Sequence, residues 1–233
     1  MNAILMLHIV CGGVGLLSGA AAVVAGKGSR PHRLAGHVFL ASMLTMAVTG
    51  GYIAAQTGHR VTMLAAGVAA YLVASGWLIG RRRDSGGPWL WLSSSVGLAV
   101  AGGAIYLGLE ARAGRADVID GTFTVPAFIY FTFATFAGVA VLSDAWMLIV
   151  GGFKLRGRMI QHLWRMSIAL YIAARSFFGG QEDVFPKPVQ GTIWLQIPEL
   201  LILATLLFWL VTVLVSKRFG TRKAMRNVAT VAD

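Results

Sequence analysis

Seven long apolar runs, separated by short polar turns, constrain this chain more than any other feature of its sequence. An α-helix rises 1.5 Å per residue, so about 20 apolar residues are enough to cross the roughly 30 Å hydrocarbon core of a bilayer. The sequence therefore predicts an all-α integral membrane bundle of seven transmembrane helices, forming a single domain over residues 1–233. The predicted spans are 3–26, 34–56, 61–80, 89–111, 126–152, 161–180 and 195–216.

The composition excludes a soluble protein. The chain is 57% hydrophobic and only 12% charged, whereas soluble domains carry about 25% charged residues. Such a chain has too little polar surface to be solvated as a globule, so lipid must be its main solvent. The predicted loops hold at most about a dozen residues, which is too few for a hydrophobic core of their own. Any chemistry must therefore occur among the helices or at their ends.

Basic residues favour every second turn, and this pattern predicts the orientation of the chain. The other turns hold few basic residues, and acidic residues dilute them. Because cytoplasmic loops are enriched in Lys and Arg, the basic turns predict an N-out, C-in multi-pass protein of the bacterial inner membrane. The residues of the basic turns are Lys27, Arg30, Arg33, Arg81, Arg82, Arg83, Lys154, Arg156, Arg158, Lys217, Arg218, Arg222, Lys223 and Arg226.

The same basic turns account for the net charge of +11. Nucleic-acid-binding domains concentrate their basic residues on one face, whereas here the basic residues stand in short clusters between apolar runs. We expect these clusters to contact anionic lipid headgroups, and we expect no nucleic-acid partner. The small-residue spacings Gly15-x-x-x-Gly19 and Gly97-x-x-x-Ala101 favour close helix packing, within the chain, in a homo-oligomer or against a membrane partner.

A weak internal repeat favours a 3+1+3 design of two parallel repeats. Arg33-x-x-x-His37 opens the second helix, and Arg158-x-x-x-His162 opens the sixth. Parallel repeats of this kind occur in some small transporters. The alternative is that two basic cytoplasmic turns resemble each other by chance.

Ionisable residues inside membrane helices are costly, so they usually face the interior and pair with one another. At 1.5 Å per residue, Asp144 lies about 12 Å and Arg165 about 7 Å from the cytoplasmic face, in consecutive helices. The sequence therefore predicts an Asp144–Arg165 pair, and a second pair, Arg175–Glu199, near the outer face. The Asp144–Arg165 pair has a structural interpretation, in which it fixes the register of the helices, and a functional one.

Histidines in a membrane bundle suggest b-type haem, because two imidazoles at equal depth on facing helices can hold the iron. His37 and His162 lie at similar depths near the cytoplasmic face, and His32 could replace His37 from the loop. We expect His37 and His162 to ligate a haem b used in electron transfer. Asp144 and Arg165 would then bond to the histidine ligands or to the haem propionates.

His8 lies near the outer face and cannot pair with these histidines, so it is more typical of a hydrogen-bonded core group. Two other functions stay open: a small-solute or proton-coupled transporter, and an accessory subunit without chemistry of its own. Retinal binding is disfavoured because no lysine precedes Lys217 in the last helix. The sequence also lacks H-E-x-x-H, G-x-S-x-G and Walker A motifs.

Three short motifs resemble those of an uncharacterised bacterial membrane family, domain of unknown function 2306. The resemblance brings no established activity, but it implies that His8, His32, Arg33 and His162 are the positions to test. A looser likeness to cytochrome b561-type bundles rests only on helices and histidines. The three motifs are Leu7-His8-Ile9, His32-Arg33-x-x-Gly36 and His162-x-Trp164-x-Met166.

Overall fold

A computed structural model of the chain describes residues 2–81, 87–119, 121 and 123–216. Part of the predicted basic pattern lies outside these residues. That part consists of Arg82, Arg83, Lys217, Arg218, Arg222, Lys223 and Arg226.

Seven α-helices account for most of the described residues, which confirms the predicted all-α class. A short antiparallel pair of strands, β1 (Val118–Ile119) and β2 (Phe123–Thr124), joins the fourth helix to the fifth. A π-helical turn, Arg175–Gly179, extends the sixth helix. The helices are α1 (Ala3–Val24), α2 (Arg30–Thr57), α3 (Arg60–Arg81), α4 (Gly87–Arg112), α5 (Ala127–Ile149), α6 (Leu155–Ala174) and α7 (Ile197–Val215).

Six of these helices, all except α6, are long and apolar enough to cross a membrane. The chain therefore has the character of a multi-pass membrane protein. α6 is more polar, with Arg158, Gln161, His162 and Arg165 among its 20 residues. A seventh crossing stays a prediction.

Local sequence signals account for the ends of α2. The Ser29 hydroxyl accepts a hydrogen bond from the backbone N–H of His32 over 3.3 Å, and Pro31 occupies the first turn, where no N–H is needed. At the other end, Gly58 adopts a left-handed conformation with φ 78°, which ends the helix and is accessible to glycine at little cost.

α3 and α6 lie at the centre of the helix packing. α3 contacts α2, α4, α5 and α6, and α6 contacts α1, α3 and α7, while α1 lies along α2 and α5 lies along α4. Ile168, Ala169 and Leu170 of α6 are buried in the main apolar core. The apolar side chains of the outer helices point away from this core, and Leu17 of α1 is 74% exposed. This outward-facing apolar surface is what a lipid environment requires.

Contacts between helix termini place the end of α3, the start of α6 and the end of α7 at one end of the bundle. Arg158, near the start of α6, donates to the carbonyl oxygens of Ile79 and Gly80 at the end of α3, over 3.2 and 2.9 Å. Arg156 donates to the carbonyl oxygen of Ser216 just after α7, over 3.1 Å. We refer to this end as the basic end.

Candidate functional site: a buried ion pair and its neighbouring histidines

The predicted Asp144–Arg165 pair is confirmed, and it is completely buried. Nη2 of Arg165 lies 2.6 Å from Oδ1 of Asp144, and both side chains are 0% exposed. A charge in an apolar interior is costly unless it is paired and hydrogen-bonded. The groups around the pair therefore decide how much free energy its burial costs.

Side chains from two further helices hold the second carboxylate oxygen of Asp144. The Tyr71 hydroxyl of α3 donates to Oδ2 over 2.6 Å. Ser94 Oγ of α4 lies 3.1 Å from Oδ2 and 2.7 Å from the carbonyl oxygen of Leu90, so its one proton can serve either acceptor. Asp144 is thus in contact with groups of α3, α4 and α6 as well as with its own helix.

Nη2 of Arg165 faces more acceptors than it has protons. Besides Asp144 it lies 2.9 Å from the carbonyl oxygen of Ala140, 2.7 Å from Ser143 Oγ and 3.4 Å from Gln161 Oε1. The indole N–H of Trp164 also donates to Gln161 Oε1, over 2.8 Å. One edge of the guanidinium is therefore saturated with hydrogen bonds. We call Tyr71, Ser94, Ser143, Asp144, Gln161, Trp164 and Arg165 the buried polar network.

The rest of the Arg165 guanidinium is not satisfied. Within the described residues, Nε and Nη1 are buried and have no hydrogen-bond partner. Its central carbon lies 5.5 Å from the ring centre of Trp164 and 6.0 Å from that of Tyr71, so the aromatic rings compensate part of the charge. A buried donor without a partner costs about 1–3 kcal/mol, and more when it is charged. These donors are suited to bind an additional acceptor.

Glycines make room for the network. A Cβ on Gly97 would lie 2.4 Å from Cζ of Tyr71, so only glycine lets the Tyr71 ring pass α4 towards Asp144. A Cβ on Gly76 would lie 3.0 Å from Cβ of Arg165, so this glycine lets α3 approach α6. The spacing around Gly97 predicted helix packing, but its described role is to accommodate an aromatic side chain.

The buried polar network lies between the middle of the bundle and its basic end. α6 begins at Leu155, so Arg165 lies ten residues, or about 15 Å, from the start of its helix. Tyr71 lies near the middle of α3, whereas Asp144 lies only five residues, or about 7.5 Å, before the end of α5. The depths of Asp144 and Arg165 below the cytoplasmic face stay predictions.

Three of the predicted histidines share one hydrogen-bonding pattern. Nδ1 of His8 lies 3.0 Å from the carbonyl oxygen of Met46, that of His32 lies 2.9 Å from Ala22, and that of His162 lies 3.0 Å from Gly76. Because a carbonyl oxygen only accepts, Nδ1 must carry the proton, and Nε2 of a neutral ring keeps its lone pair. This arrangement prepares a histidine for ligation through Nε2. For His8 it confirms a hydrogen-bonded group.

His37 and His162 contact different residues of α3. His37 contacts the edge of the Trp77 indole at a centroid distance of 6.4 Å, whereas His162 packs against Gly76 and Gly80. His32 and His37 are five residues apart, which places them about 140° apart around α2 at 3.6 residues per turn. His32 contributes to the electrostatic environment of His162. A haem held by His37 and His162 stays a prediction.

Lys27 and Arg33 lie near these histidines in the chain, but their side chains donate hydrogen bonds to backbone carbonyl oxygens. Nζ of Lys27 donates to the carbonyl oxygens of Ala22 and Val23, over 3.1 and 2.5 Å, and so caps the end of α1. Burial lowers the pKa of Lys27 below its ordinary value. Arg33 is exposed and donates to the carbonyl oxygen of Gly28 over 3.3 Å. The structure therefore places Arg33 outside the buried polar network.

The opposite end of the bundle carries its own ion pairs. The predicted Arg175–Glu199 pair is confirmed at 3.5 Å. Arg60 pairs with Asp117, which also accepts from the backbone N–H of Val61 over 2.8 Å. Asp117 thus fixes the turn after α4 to the start of α3. No local sequence pattern predicts this contact, because it joins the first turn of α3 to a turn far away in the chain.

Among the described residues, no group of three or more His, Cys, Asp or Glu side chains is arranged to hold a metal ion. No protein-family model, curated protein or solved structure matches the chain. The likeness to the uncharacterised bacterial family stays a prediction, and the function must be inferred from the geometry.

Proposed function

We propose that this chain is a seven-span, N-out, C-in protein of the bacterial inner membrane that couples proton movement to the transport of a small anionic solute. The observation that carries the proposal is the fully buried Asp144–Arg165 pair, with Nε and Nη1 of Arg165 unpaired within the described residues. Ionisable residues inside membrane bundles mark ion and substrate pathways.

The chemistry follows from competition for Arg165. An ionised Asp144 neutralises the guanidinium, which then has little attraction for a second anion. When Asp144 takes up a proton, the guanidinium loses its counter-charge and can bind a carboxylate or phosphate through Nε or through Nη1. Proton and anion then bind together, and release of one favours release of the other.

The surrounding groups suit this exchange. The hydroxyl groups of Tyr71 and Ser94 contact the carboxylate oxygen that does not face Arg165. They are therefore placed to stabilise the ionised carboxylate and to rearrange when it is protonated. Because the network spans α3, α4, α5 and α6, a relative shift of these helices would break and reform it.

The helix packing bears on the predicted 3+1+3 repeat. α1, the first helix of the first predicted repeat, packs along α2 of the same repeat. α5, the first helix of the second predicted repeat, packs along α4, which lies outside both repeats. The two halves are therefore packed differently, and the parallel repeat stays a prediction that the transport proposal does not need.

Proton entry into proteoliposomes tests the proposal. The full chain is reconstituted with a trapped pH dye, and a panel of monocarboxylates, dicarboxylates and inorganic phosphate is added outside. We expect at least one anion to drive proton entry through the wild type, and Asp144→Asn to abolish it. Glu110→Gln, which removes a carboxylate from the exposed pair with Arg115, should keep it. Absence of protein-dependent proton entry with the whole panel, or equal entry through Asp144→Asn, would overturn the proposal.

The free Nε2 atoms favour a second candidate, a haem b held by His32 and His162. Both rings are oriented by carbonyl oxygens, and the two residues lie within electrostatic reach of each other. An optical spectrum with and without dithionite, after haem-supplemented expression, tests it. A Soret band that is lost in His32→Ala and His162→Ala but kept in His37→Ala would support this candidate, and absence of the band would reject it.

A further inference from the structure

A groove between α2 and α3 opens onto the outer surface of the bundle at its basic end. Its volume is about 470 Å³, within the range of small-molecule sites. Leu40, Leu44, Ala74 and Leu78 line it, so its length is apolar. This part of the groove suits a hydrocarbon chain.

One end of the groove is lined by aromatic and charged side chains instead of aliphatic ones. Trp77, Trp89 and Arg81 line it, and the central carbon of the Arg81 guanidinium lies 5.1 Å from the ring centre of Trp77. His37 contacts the edge of the same indole. Arg81 makes no ion pair within the residues that the structure describes. An exposed cation thus lies beside an apolar groove, at the end of the bundle where tryptophans mark the interface.

A second groove provides an internal comparison. It lies between α4 and α5, has a volume of about 400 Å³, and is lined by residues that include Trp91, Leu98, Val141 and Ala145. It is nearly as large as the first groove and also apolar, but no charged residue lines it. Size and apolarity are therefore common to both grooves, and the cation distinguishes the first.

We propose that the α2–α3 groove binds one anionic phospholipid. An acyl chain occupies the apolar length of the groove, and the headgroup phosphate pairs with Arg81. The charge complementarity selects an anionic over a zwitterionic lipid, because a zwitterionic headgroup carries its own compensating cation. This site is independent of the proposed transport, since it shares no residue with the buried polar network.

Native mass spectrometry of the full chain in detergent tests the site, with phosphatidylglycerol and phosphatidylcholine as the added lipids. Arg81→Gln removes the cation, and Ala74→Phe fills the apolar length. Arg112→Gln, at the opposite end of α4, and Ala145→Phe, in the second groove, are the matched controls. Arg81→Lys keeps the charge and shows whether a loss in Arg81→Gln comes from charge or from misfolding.

We expect the wild type to retain phosphatidylglycerol in preference to phosphatidylcholine. Arg81→Gln should weaken the retention about fivefold, the effect of one basic residue near a membrane surface. Ala74→Phe should also lose the lipid, while Arg81→Lys and both controls should keep it. Equal retention of the two lipids, or unchanged retention in Arg81→Gln and Ala74→Phe, would overturn the proposal. An equal loss in Ala145→Phe would also overturn it, because binding would then be non-specific.

Discussion

Arg165 lies in an environment where its charge is energetically costly. Its charge is buried beside Asp144, and only part of its hydrogen-bonding capacity is used. Removing one partner of such a pair leaves an uncompensated charge in an apolar interior, which costs more than the pair itself contributes. The stability of the bundle should therefore depend strongly on both residues together.

Asp144→Asn should lower the free energy of unfolding by about 3–5 kcal/mol, because Arg165 stays buried without a counter-charge. Arg165→Met in the same chain should recover part of the loss, since the remaining charge is then removed as well. Denaturant unfolding in detergent micelles measures both variants. Glu110→Gln serves as the control, because its pair with Arg115 is at the surface. Equal losses in Asp144→Asn and Glu110→Gln would contradict this prediction.

Gly97→Ala should displace the Tyr71 ring, because the added Cβ would lie 2.4 Å from Cζ. We expect a loss of about 1–3 kcal/mol, the usual cost of overpacking, together with a changed near-ultraviolet circular dichroism signal. Gly102→Ala is the matched control, since it lies on the same helix with nothing within 4 Å of the new Cβ. Identical spectra and stabilities for the two variants would argue against the tight passage at Gly97.

The sequence predicts which charged residues pair with each other better than it predicts the groups that surround each pair. Asp144 and Arg165 stand out because charges are rare in apolar runs. Tyr71, by contrast, is a common residue in membrane helices, and nothing in its local sequence indicates that its hydroxyl reaches Asp144. The same holds for His32 and His37. They lie on opposite sides of α2 because of the helical repeat, and a comparison of their depths alone does not reveal this.

At the scale of helices, the start of α6 shows why a boundary was difficult to predict. Arg156 and Arg158 are typical of a polar turn, so the sequence predicts a start near residue 161. In the structure both arginines bond to carbonyl oxygens at the ends of α7 and α3. These contacts satisfy carbonyl groups that a helix end leaves unpaired. They explain why α6 begins six residues earlier.

Arg158→Ala should loosen the end of α3, because the carbonyl oxygens of Ile79 and Gly80 lose their charged donor. A hydrogen bond from a charged group contributes about 1.5–3 kcal/mol. Hydrogen exchange followed by mass spectrometry should show faster exchange in the last turn of α3. Arg33→Ala is the control, since Arg33 bonds only to the Gly28 carbonyl in the preceding turn. Exchange in the last turn of α3 that is unchanged in Arg158→Ala would contradict the capping role.

At the scale of the whole molecule, the polar character of α6 explains why other helices pack around it. Arg165, His162 and Gln161 would be costly in contact with lipid. The neighbouring helices α3 and α7 pack against α6 and reduce this exposure. The more apolar helices then supply the lipid-facing surface, as the exposed leucines of α1 and α7 indicate.

The number of helices and the class of fold could be predicted from the apolar runs, because their length is set by the thickness of the bilayer. The arrangement of the helices could not. Nothing in the sequence indicates that α5 lies along α4, or that α3 and α6 lie at the centre, because these choices depend on side chains from several helices at once. The membrane orientation rests on the basic turns alone.

The most direct test is whether α6 crosses the membrane. In a Cys11→Ala background, single cysteines replace Lys154, before α6, and Gln181, after its π-helical turn; both positions are exposed. With a membrane-impermeant thiol reagent applied to whole cells after the outer membrane is permeabilised, position 181 should react. Position 154 should react only once the inner membrane is opened. If both positions react from the same side, α6 does not span the bilayer, and the account of a membrane-embedded Asp144–Arg165 pair is contradicted.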